Sequence, residues 1–477
     1  MHKDLSTRAR WEALGVLCLG VLMIVLDTTI VNVALPSIRT DLAFTETSLV
    51  WVVNAYMLTF GGFLLLGGRL GDLYGHRKLF LIGIALFTVA SLACGLANSQ
   101  LILIVARAIQ GMGGAVVSAV SLSLMMNLFP EQEERAKAMG IYSFVCAGGG
   151  SIGAVAGGLL TNLLSWHWIF LVNIPIGLAV YVTCLRLVPA ARIDDRSNRL
   201  DLGGAVTVTF SLMLAVYAIV NGNEAGWMSR QTLGLLFASS VCLIVFLVLE
   251  AKVAKPLVPL GMFRRRNLTT ASVIGMLWSG AMFAWFFISA LYMQLVLGYD
   301  ALKVGLAFLP ANLIMAAFSL GLSANLVMRF GIKPPLVFGL LLATAGLALF
   351  SQSPLHGDFN FHILPSMLLL GLGAGMGFNP LLLAAMNDVA PSDSGLASGL
   401  VNTSFMMGGA LGLAVLASVA AAQTQSLVGS GVGMVAALNG GYQLAFGAGA
   451  VFALIAALLG AFVIGSGKTP TTDKAGI

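Results

Sequence analysis

The amino-acid sequence predicts an all-α integral membrane protein with fourteen transmembrane helices. Of the 477 residues, 58% are hydrophobic and only 9% are charged, whereas soluble domains carry roughly 25% charged residues. Apolar runs long enough to cross a bilayer, which takes about 20 mostly apolar residues per span, recur along the whole chain. The basic residues between these runs collect on one side of the membrane. Composition, span length and charge distribution therefore support the same fold class.

The apolar runs form two groups of six separated by a pair. The first six lie near 13–35, 49–67, 79–97, 101–128, 139–162 and 168–188. The pair lies near 204–221 and 231–250. The last six lie near 268–293, 304–328, 334–351, 362–386, 395–421 and 442–465. The first run is long enough to span and lacks a clear small-residue cleavage site, so we expect a retained helix rather than a signal peptide.

This grouping predicts three regions. They are an N-terminal six-helix bundle (1–190), a two-helix insert with cytoplasmic linkers (191–267) and a C-terminal six-helix bundle (268–477). The two bundles look like a diverged repeat, because glycine motifs recur in corresponding spans, as at Gly111–Gly113 in span four and Gly375–Gly377 in span twelve.

The distribution of basic residues predicts the topology. An even number of spans places both termini on one side, and the positive-inside rule makes that side cytoplasmic. Of the 25 Lys and Arg residues, only Arg39, Arg230 and Lys303 then lie outside, and Arg107 lies within a span. We therefore expect a multi-pass protein of the bacterial cytoplasmic (inner) membrane with both termini in the cytoplasm.

Several functional classes lack support in the sequence. The net charge of +6 reflects the sorted loops and is no signal for nucleic acid binding. The five cysteines lie in apolar runs without a CxxC pair, which gives no support to a metal or redox site. Nucleotide-binding and metalloenzyme motifs do not occur. We expect neither an enzyme nor a cofactor, so an ion gradient rather than ATP should supply energy.

Asp27 lies in the middle of the first span, within the segment Leu26–Pro36 that also contains Asn32. A carboxylate at membrane depth costs several kcal/mol unless it is paired, protonated or hydrated, so intramembrane acids are functional-site hypotheses by default. We predict that Asp27 carries a proton. The alternative interpretation is a structural partner for a buried cation.

Arg107 lies in the fourth span, followed by Gln110, Gly111 and Gly114 on the same helical face. Arginine stays protonated at any ordinary pH, so this face should point to a polar interior and favour the ionised form of a nearby carboxylate. Alternatively, Arg107 lies near the membrane edge and its side chain snorkels to the interface. The predicted coupling site comprises Asp27, Arg107, Gln110 and Asn32.

Two glycine-rich segments predict close backbone packing. Gly68–Lys78 should form a tight cytoplasmic turn, because glycine permits turn conformations that other residues resist; an ordinary basic loop is the alternative. Span five carries two stripes of small residues that allow helices to approach closely. These stripes either pack statically or form and break a contact between conformational states. They consist of Gly149, Gly153 and Gly157, and of Gly150, Ala154 and Gly158.

In combination, these motifs resemble the major facilitator superfamily, and specifically its fourteen-span drug:proton antiporters. Gly68–Lys78 is similar to the signature between spans two and three, Arg107–Gly114 to the fourth-span motif, and Leu26–Pro36 to the first-span signature. The segments Trp51–Tyr56 and Trp166–Gly177 also fit. The sequence departs from the pattern in three places. Ala154 stands where the family has proline, and His167 where it usually has arginine. After Asn402 and Thr403 in span thirteen, Phe405 and Met406 stand where an arginine and a glutamine are expected, which makes that face more apolar.

The resemblance implies two bundles around a central cavity, alternating access, and export of amphipathic compounds in exchange for protons. Asp27 is then the proton or cation site and Arg107 its modulator. The implied cavity candidates are Asn54, Tyr56, Asn402 and Phe405. The implied cytoplasmic latch, near the start of span thirteen, consists of Gly68, Asp72, Gly75 and Arg77.

The functional prediction is a proton-coupled antiporter that exports amphipathic drugs or other small toxic molecules. The alternative is a proton-coupled symporter for a small nutrient. A non-transporting sensor or channel is disfavoured, because no filter sequence, effector domain or arginine ladder occurs. Expected partners are a small amphipathic substrate, the lipid bilayer and, in a cell with two membranes, a periplasmic adaptor. We expect no nucleic acid partner and a monomeric protein.

Overall fold

The structure is a computed structural model that describes residues 7–129, 131–188, 202–253, 256, 260–386, 389 and 394–465. These residues form helices and their connections, with no strand among them. The predicted boundary near residue 190 lies outside the described residues.

The N-terminal group of helices follows the first six predicted spans. It comprises α1 (Thr7–Asp41), α2 (Glu46–Tyr74), α3 (His76–Gly95), α4 (Gln100–Leu128), α5 (Gln132–Leu163), and the consecutive α6 (Trp168–Leu171) and α7 (Asn173–Leu187). Two of these helices, α2 and α4, begin at a side chain that accepts a hydrogen bond from a backbone N–H group with no partner inside the helix. Thr45 and Ser48 form a capping box before α2, and Ser99 accepts from the Ile102 amide at the start of α4.

The middle pair consists of α8 (Leu202–Ala225) and α9 (Arg230–Lys252). The C-terminal group comprises α10 (Arg266–Leu291), α11 (Ala301–Ala317), α12 (Ser323–Phe330), α13 (Lys333–Phe350), α14 (Leu364–Met386), α15 (Ser394–Gly429) and α16 (Met434–Phe462). Short π-helical segments extend α10 over Tyr292–Val296, join α11 to α12 over Phe318–Leu322 and precede α14 over Phe359–Ile363.

Eleven described helices are long and apolar enough to cross a membrane by length and composition. Three shorter apolar helical stretches, Ile152–Leu163, Val206–Gly222 and Ala301–Ala317, fall below that length. The all-helical, multi-pass membrane architecture is therefore confirmed. The helix ends lie within several residues of the predicted spans.

Each group packs mainly on itself. In the N-terminal group, α1 packs against α5 and α7, and α4 packs against α2 and α3. In the C-terminal group, α10 packs against α15 and α16, and α13 packs against α14 and α16. Small residues allow these close approaches. For example, a Cβ atom on Gly113 of α4 would lie 2.7 Å from the backbone nitrogen of Phe87 on α3.

The most extensive contacts between the two groups are those of α2 with α15 and of α5 with α11, and α1 also contacts α10 and α11. The middle pair lies against the first of these junctions, since α8 packs on both α2 and α15 while α9 packs on α8. Ser211 and Ser239 link α8 to α9, each hydroxyl donating to the other's backbone carbonyl at 2.8 Å.

The connection between α2 and α3 is shorter than the sequence predicts. Helix α2 continues to Tyr74 and α3 begins at His76, so Gly75 alone makes the turn. Its φ of 93° lies in the left-handed region that favours glycine. The predicted turn over Gly68–Lys78 was therefore too long. Helix α2 continues through Gly68 and Gly71, and only Gly75, which has a positive φ, lies outside a helix.

Candidate functional site

A buried ion pair lies at the centre of the N-terminal group. Asp27 on α1 and Arg107 on α4 are 0% and 1% exposed. The Arg107 Nη1 atom lies 2.5 Å from Asp27 Oδ2. A charge at membrane depth is stable when an opposite charge and hydrogen bonds replace water. Each of these two residues therefore supplies the compensation that the other requires.

Further contacts fix the guanidinium of Arg107. Its Nε donates to the backbone carbonyl of Val52 on α2 at 2.9 Å, and its Nη1 also donates to Gln110 Oε1 at 2.7 Å. The guanidinium lies over the Tyr56 ring at 4.4 Å from the centroid, in a cation–π contact. The structure thus places Arg107 inside the bundle and not in the snorkelling position considered as the alternative.

Asp27 accepts two more hydrogen bonds at its other oxygen. Gln110 Nε2 donates to Oδ1 at 2.8 Å, and Asn173 Nδ2 donates to the same atom at 3.0 Å. Both amides also donate to the hydroxyl of Ser91, at 3.2 Å and 3.0 Å. Ser91 in turn donates to the Phe170 carbonyl at 2.9 Å. One polar network therefore connects α1, α3, α4, α6 and α7.

Sequence reasoning missed two members of this network. Asn173 lies in the Trp166–Gly177 segment, which matched a family pattern but carried no assigned role. Ser91 is one of two hydroxyl residues in the apolar third span, the other being Thr88, and its only sequence signal was the polar residue type. Both are almost completely buried. Their role depends on packing between helices that are far apart in sequence.

The network can hold a carboxylate in its charged form without water. Asp27 is closed off from solvent in this conformation, so proton exchange requires the surrounding helices to move. The arrangement is therefore a candidate switch, in which the charge on one side chain governs the contacts between several helices.

The other polar candidates lie outside this network. Asn32 donates to the Thr28 carbonyl on its own helix at 3.2 Å. Asn54 is fully buried, and neither its Oδ1 nor its Nδ2 has a hydrogen-bond partner among the described residues. Tyr56 contacts the network through its ring rather than its hydroxyl. Asn402 is half-buried on α15.

Phe405 lies in an aromatic cluster of the C-terminal group. Its ring is 6.1 Å from that of Phe283 on α10 and 5.5 Å from that of Phe378 on α14, both in edge-to-face geometry. Phe405 is buried, whereas Phe378 is 42% exposed. On the next turn of α15, Gly409 packs against Met57 of α2, so this face of α15 points towards the N-terminal group.

The latch candidates occupy the end of α2 and the start of α3. Gly68 lies within α2, and the Asp72 side chain lies outside the part that the structure describes. Arg77 donates to the Leu185 carbonyl near the end of α7 at 2.6 Å. This contact is within the N-terminal group, so the expected proximity to the start of α15 stays a prediction.

The two small-residue stripes of α5 face different helices. Gly149, Gly153 and Gly157 lie against α1, where a Cβ on Gly157 would be 2.7 Å from the Ile30 carbonyl oxygen. In the other stripe, Ala154 and Gly158 lie against α11, whereas the atom near a Cβ on Gly150 is the Thr29 methyl carbon of α1 at 3.8 Å. A Cβ on Gly158 would be 2.6 Å from the Ala301 carbonyl oxygen, and Gly305 of α11 fits against the Ala154 carbonyl. Helix α5 therefore packs closely on its own group and on the other group at once.

No group of three or more His, Cys, Asp or Glu side chains suited to a metal ion occurs among the described residues. The ion pair and its amide and hydroxyl partners are therefore the candidate site.

Comparison with known proteins decides the family. A model of the Major Facilitator Superfamily matches residues 17–413. The chain belongs to the Major Facilitator Superfamily. Solved structures of other transporters have the same fold, and their sequence identity to this chain is so low that they are evidence for the fold alone. The POT family transporter PepTSo matches with a TM-score of 0.70 at 15% identity, over 96% of this chain and 97% of that chain. The xylose transporter XylE from E. coli, in an inward open conformation, matches with a TM-score of 0.63 at 15% identity, over 97% and 98%.

Relatives within the superfamily are much more similar in sequence. The puromycin resistance protein pur8 of Streptomyces alboniger is 38% identical over 475 residues, covering 98% of this chain and 93% of that protein. The cephamycin export protein CmcT of Amycolatopsis lactamdurans is 38% identical over 460 residues, covering 95% and 92%. This member of the Major Facilitator Superfamily is thus similar, along nearly its whole length, to proteins of antibiotic resistance and export.

Proposed function

We propose that this chain is a proton-coupled antiporter that exports amphipathic antibiotics or other small toxic molecules by alternating access. The observation that carries the proposal is the Asp27–Arg107 pair, a carboxylate and a permanent cation enclosed between membrane helices. The pair occurs in a chain that is 38% identical to an antibiotic resistance protein and to an antibiotic export protein. A titratable carboxylate is the group that such an exporter needs to take up and release a proton.

The proposed topology has fourteen spans with both termini in the cytoplasm, as in the fourteen-span drug:proton antiporters. Besides the eleven long helices, the three shorter apolar stretches in α5, α8 and α11 fall in the predicted fifth, seventh and tenth spans. Positive-inside sorting gives the orientation in the cytoplasmic membrane. The boundaries at residues 190 and 267 belong to the same proposal.

In the proposed cycle, the charge on Asp27 selects between conformations. Ionised Asp27 attracts Arg107 and the two amide donors, which holds α1, α4 and α7 together. Protonation from the outer side removes that charge, so the attraction between the helices weakens. The substrate leaves outward, the protonated carrier returns to the inward-facing state, and proton release inside restores the ion pair. A proton gradient is the only energy source required, with no cofactor.

The proposed substrate surface lies between the two groups. The Phe405 cluster in the C-terminal group supplies apolar contacts. Polar contacts come from Asn54, Tyr56 and Asn402 when the two groups of helices separate. The substrate and the surrounding bilayer are the proposed partners, together with a periplasmic adaptor in cells that have two membranes. The proposed unit is a monomer without nucleic acid.

Everted membrane vesicles test the proposal, with puromycin as the probe. Added puromycin should release protons from energised vesicles, and Asp27→Asn should abolish this release because an amide does not titrate. Asp300→Asn is the matched control, since Asp300 caps α11 at the surface and asparagine caps equally well. Wild-type-like proton release in Asp27→Asn would exclude the proposed role of Asp27. Accumulation of labelled substrate in right-side-out vesicles would instead indicate symport.

A further inference from the structure

We propose that Asn173 is a positioning residue that transmits the charge state of Asp27 to α6 and α7 through Ser91. This inference rests on the proposed proton-coupled function and concerns how the same site moves. It assigns a role to two side chains that contact no substrate.

The directions of the hydrogen bonds in the network follow from its fixed charge. A guanidinium can only donate, so the Gln110 oxygen must face Arg107. The Gln110 nitrogen then faces Asp27 and Ser91. The Ser91 hydroxyl accepts there, which leaves its single hydrogen for the Phe170 carbonyl.

The orientation of the Asn173 side-chain amide follows in the same way. Ionised Asp27 only accepts hydrogen bonds, and both lone pairs of Ser91 receive amide hydrogens. The Asn173 nitrogen must therefore face both of them, as its 3.0 Å contacts show. With Asp27 ionised, the donors and acceptors at Asp27 Oδ1 and at the Ser91 hydroxyl are all matched.

Protonation of Asp27 breaks this match. A hydrogen on Oδ1 would point at two N–H groups, so donors would face a donor. Gln110 cannot turn its amide, because its nitrogen would then meet the Arg107 guanidinium. The hydrogen bonds of the Asn173 side chain among the described residues are the two from its nitrogen to Asp27 and Ser91. Asn173 is therefore the amide that can turn and present its oxygen to protonated Asp27.

Turning Asn173 affects Ser91 and then α6. The Ser91 hydroxyl no longer receives a hydrogen bond from the Asn173 nitrogen, and the Asn173 oxygen becomes a nearby acceptor. Its hydrogen can move to that oxygen, which releases the Phe170 carbonyl. Because Asn173 is the first residue of α7 and Phe170 lies in α6, the change reaches the backbone where the two helices meet. Among the residues that the structure describes, the ionisable groups that interact with Asp27 are Arg107, Tyr56 and Cys94, on α4, α2 and α3.

Hydrogen exchange of the purified protein tests the relay without transport. Asp27→Asn imitates the neutral carboxyl group at constant pH, and it should speed exchange several-fold in peptides covering 168–176. Ser91→Ala should show the same acceleration when Asp27 is intact, because the Phe170 carbonyl loses its donor in either case. Combining the two substitutions should add little. Equal exchange in wild type and Asp27→Asn would overturn the relay.

Transport provides the second arm. Removing one hydrogen bond to the ionised carboxylate with Asn173→Leu should move the pH midpoint of proton-coupled export upward by about one unit. Asn439→Leu is the control, because Asn439 is a buried amide in the C-terminal group that donates to the Ser353 carbonyl. Its midpoint should equal that of wild type. An unshifted midpoint in folded Asn173→Leu would overturn the positioning role.

The two arms separate this inference from the proposed function. If wild-type vesicles show no proton coupling but Asp27→Asn still accelerates exchange at 168–176, the relay stands and the antiporter proposal fails. If coupling is present but exchange is unchanged, the antiporter proposal stands and the relay fails.

Discussion

Replacing Arg107 with methionine should destabilise the folded protein by about 3–5 kcal/mol, because breaking a buried ion pair leaves one charge uncompensated. Methionine can fill the space of the aliphatic stem of Arg107, but it lacks the guanidinium that lies over the Tyr56 ring at 4.4 Å from the centroid. The substitution therefore removes the charge together with this cation–π contact. Asp27, Gln110 and Val52 each lose a hydrogen-bond donor that lies between 2.5 and 2.9 Å in the wild type.

The magnitude follows from what remains buried. Gln110 and Asn173 still donate to Asp27, so the carboxylate keeps part of its solvation. Its counter-charge is lost, and no water reaches it at 0% exposure. Combining Arg107→Met with Asp27→Asn removes the unpaired charge and should recover about 0.5–3 kcal/mol, the usual range of interaction energies between contacting residues.

Unfolding by dodecyl sulfate in mixed micelles, followed by tryptophan fluorescence, measures these differences. Wild type, both single variants and the double variant form one thermodynamic cycle. Arg230→Met is the control, since Arg230 is exposed at the start of α9 and its loss should change stability by no more than about 0.5 kcal/mol. If Arg107→Met were as stable as Arg230→Met, or if the double variant were less stable than the sum of the two single variants predicts, the ion pair would not be a stabilising interaction in this fold.

Two further predictions concern close contacts between helices. Gly305→Ala should destabilise the junction of α5 and α11 by about 1–3 kcal/mol and reduce export, because the new Cβ would overlap the Ala154 carbonyl. Gly234→Ala on α9, where a Cβ meets nothing within 4 Å, is the control for thermal stability and export. Equal results for both variants would show that the close contact at Gly305 is not required. Gly62→Val should displace α8 from α2, because the new Cβ would overlap the hydroxyl oxygen of Thr209 on α8. Cross-linking of cysteines introduced on α2 and α8 should fall in this variant, and an unchanged yield would show that α8 is held elsewhere.

The candidate site was only partly predictable, for a physical reason. Asp27 and Arg107 were recognisable because a charge in an apolar run is expensive and therefore requires a local explanation. Gln110 was recognisable because it lies one helical turn from Arg107. Asn173 and Ser91 carry no charge, and a neutral polar residue in a membrane helix is common enough to give little signal.

The sequence also did not determine which helices pack against each other. The stripes of α5 predicted close packing, yet four-residue spacing does not say which helix packs on which stripe. In the structure, one stripe meets α1 in the same group, and Ala154 and Gly158 of the other stripe meet α11 in the opposite group. The extent of the turn at Gly75 was also undecided, because glycine is tolerated both in membrane helices and in turns.

The sequence by itself determined that this protein is helical, crosses a membrane many times and carries a charged pair of residues inside it. These properties follow from local quantities, namely the length of apolar runs and the cost of burying a charge. Only the tertiary structure decided that Asp27 and Arg107 pair directly, that Gln110, Asn173 and Ser91 complete their hydrogen bonds, and that α5 joins the two groups. The hydrogen bonds of the site link residues up to 146 positions apart in the chain, and the contacts of α5 with the C-terminal group reach further, to 162 positions between Gly150 and Asn312. All of them depend on how whole helices pack.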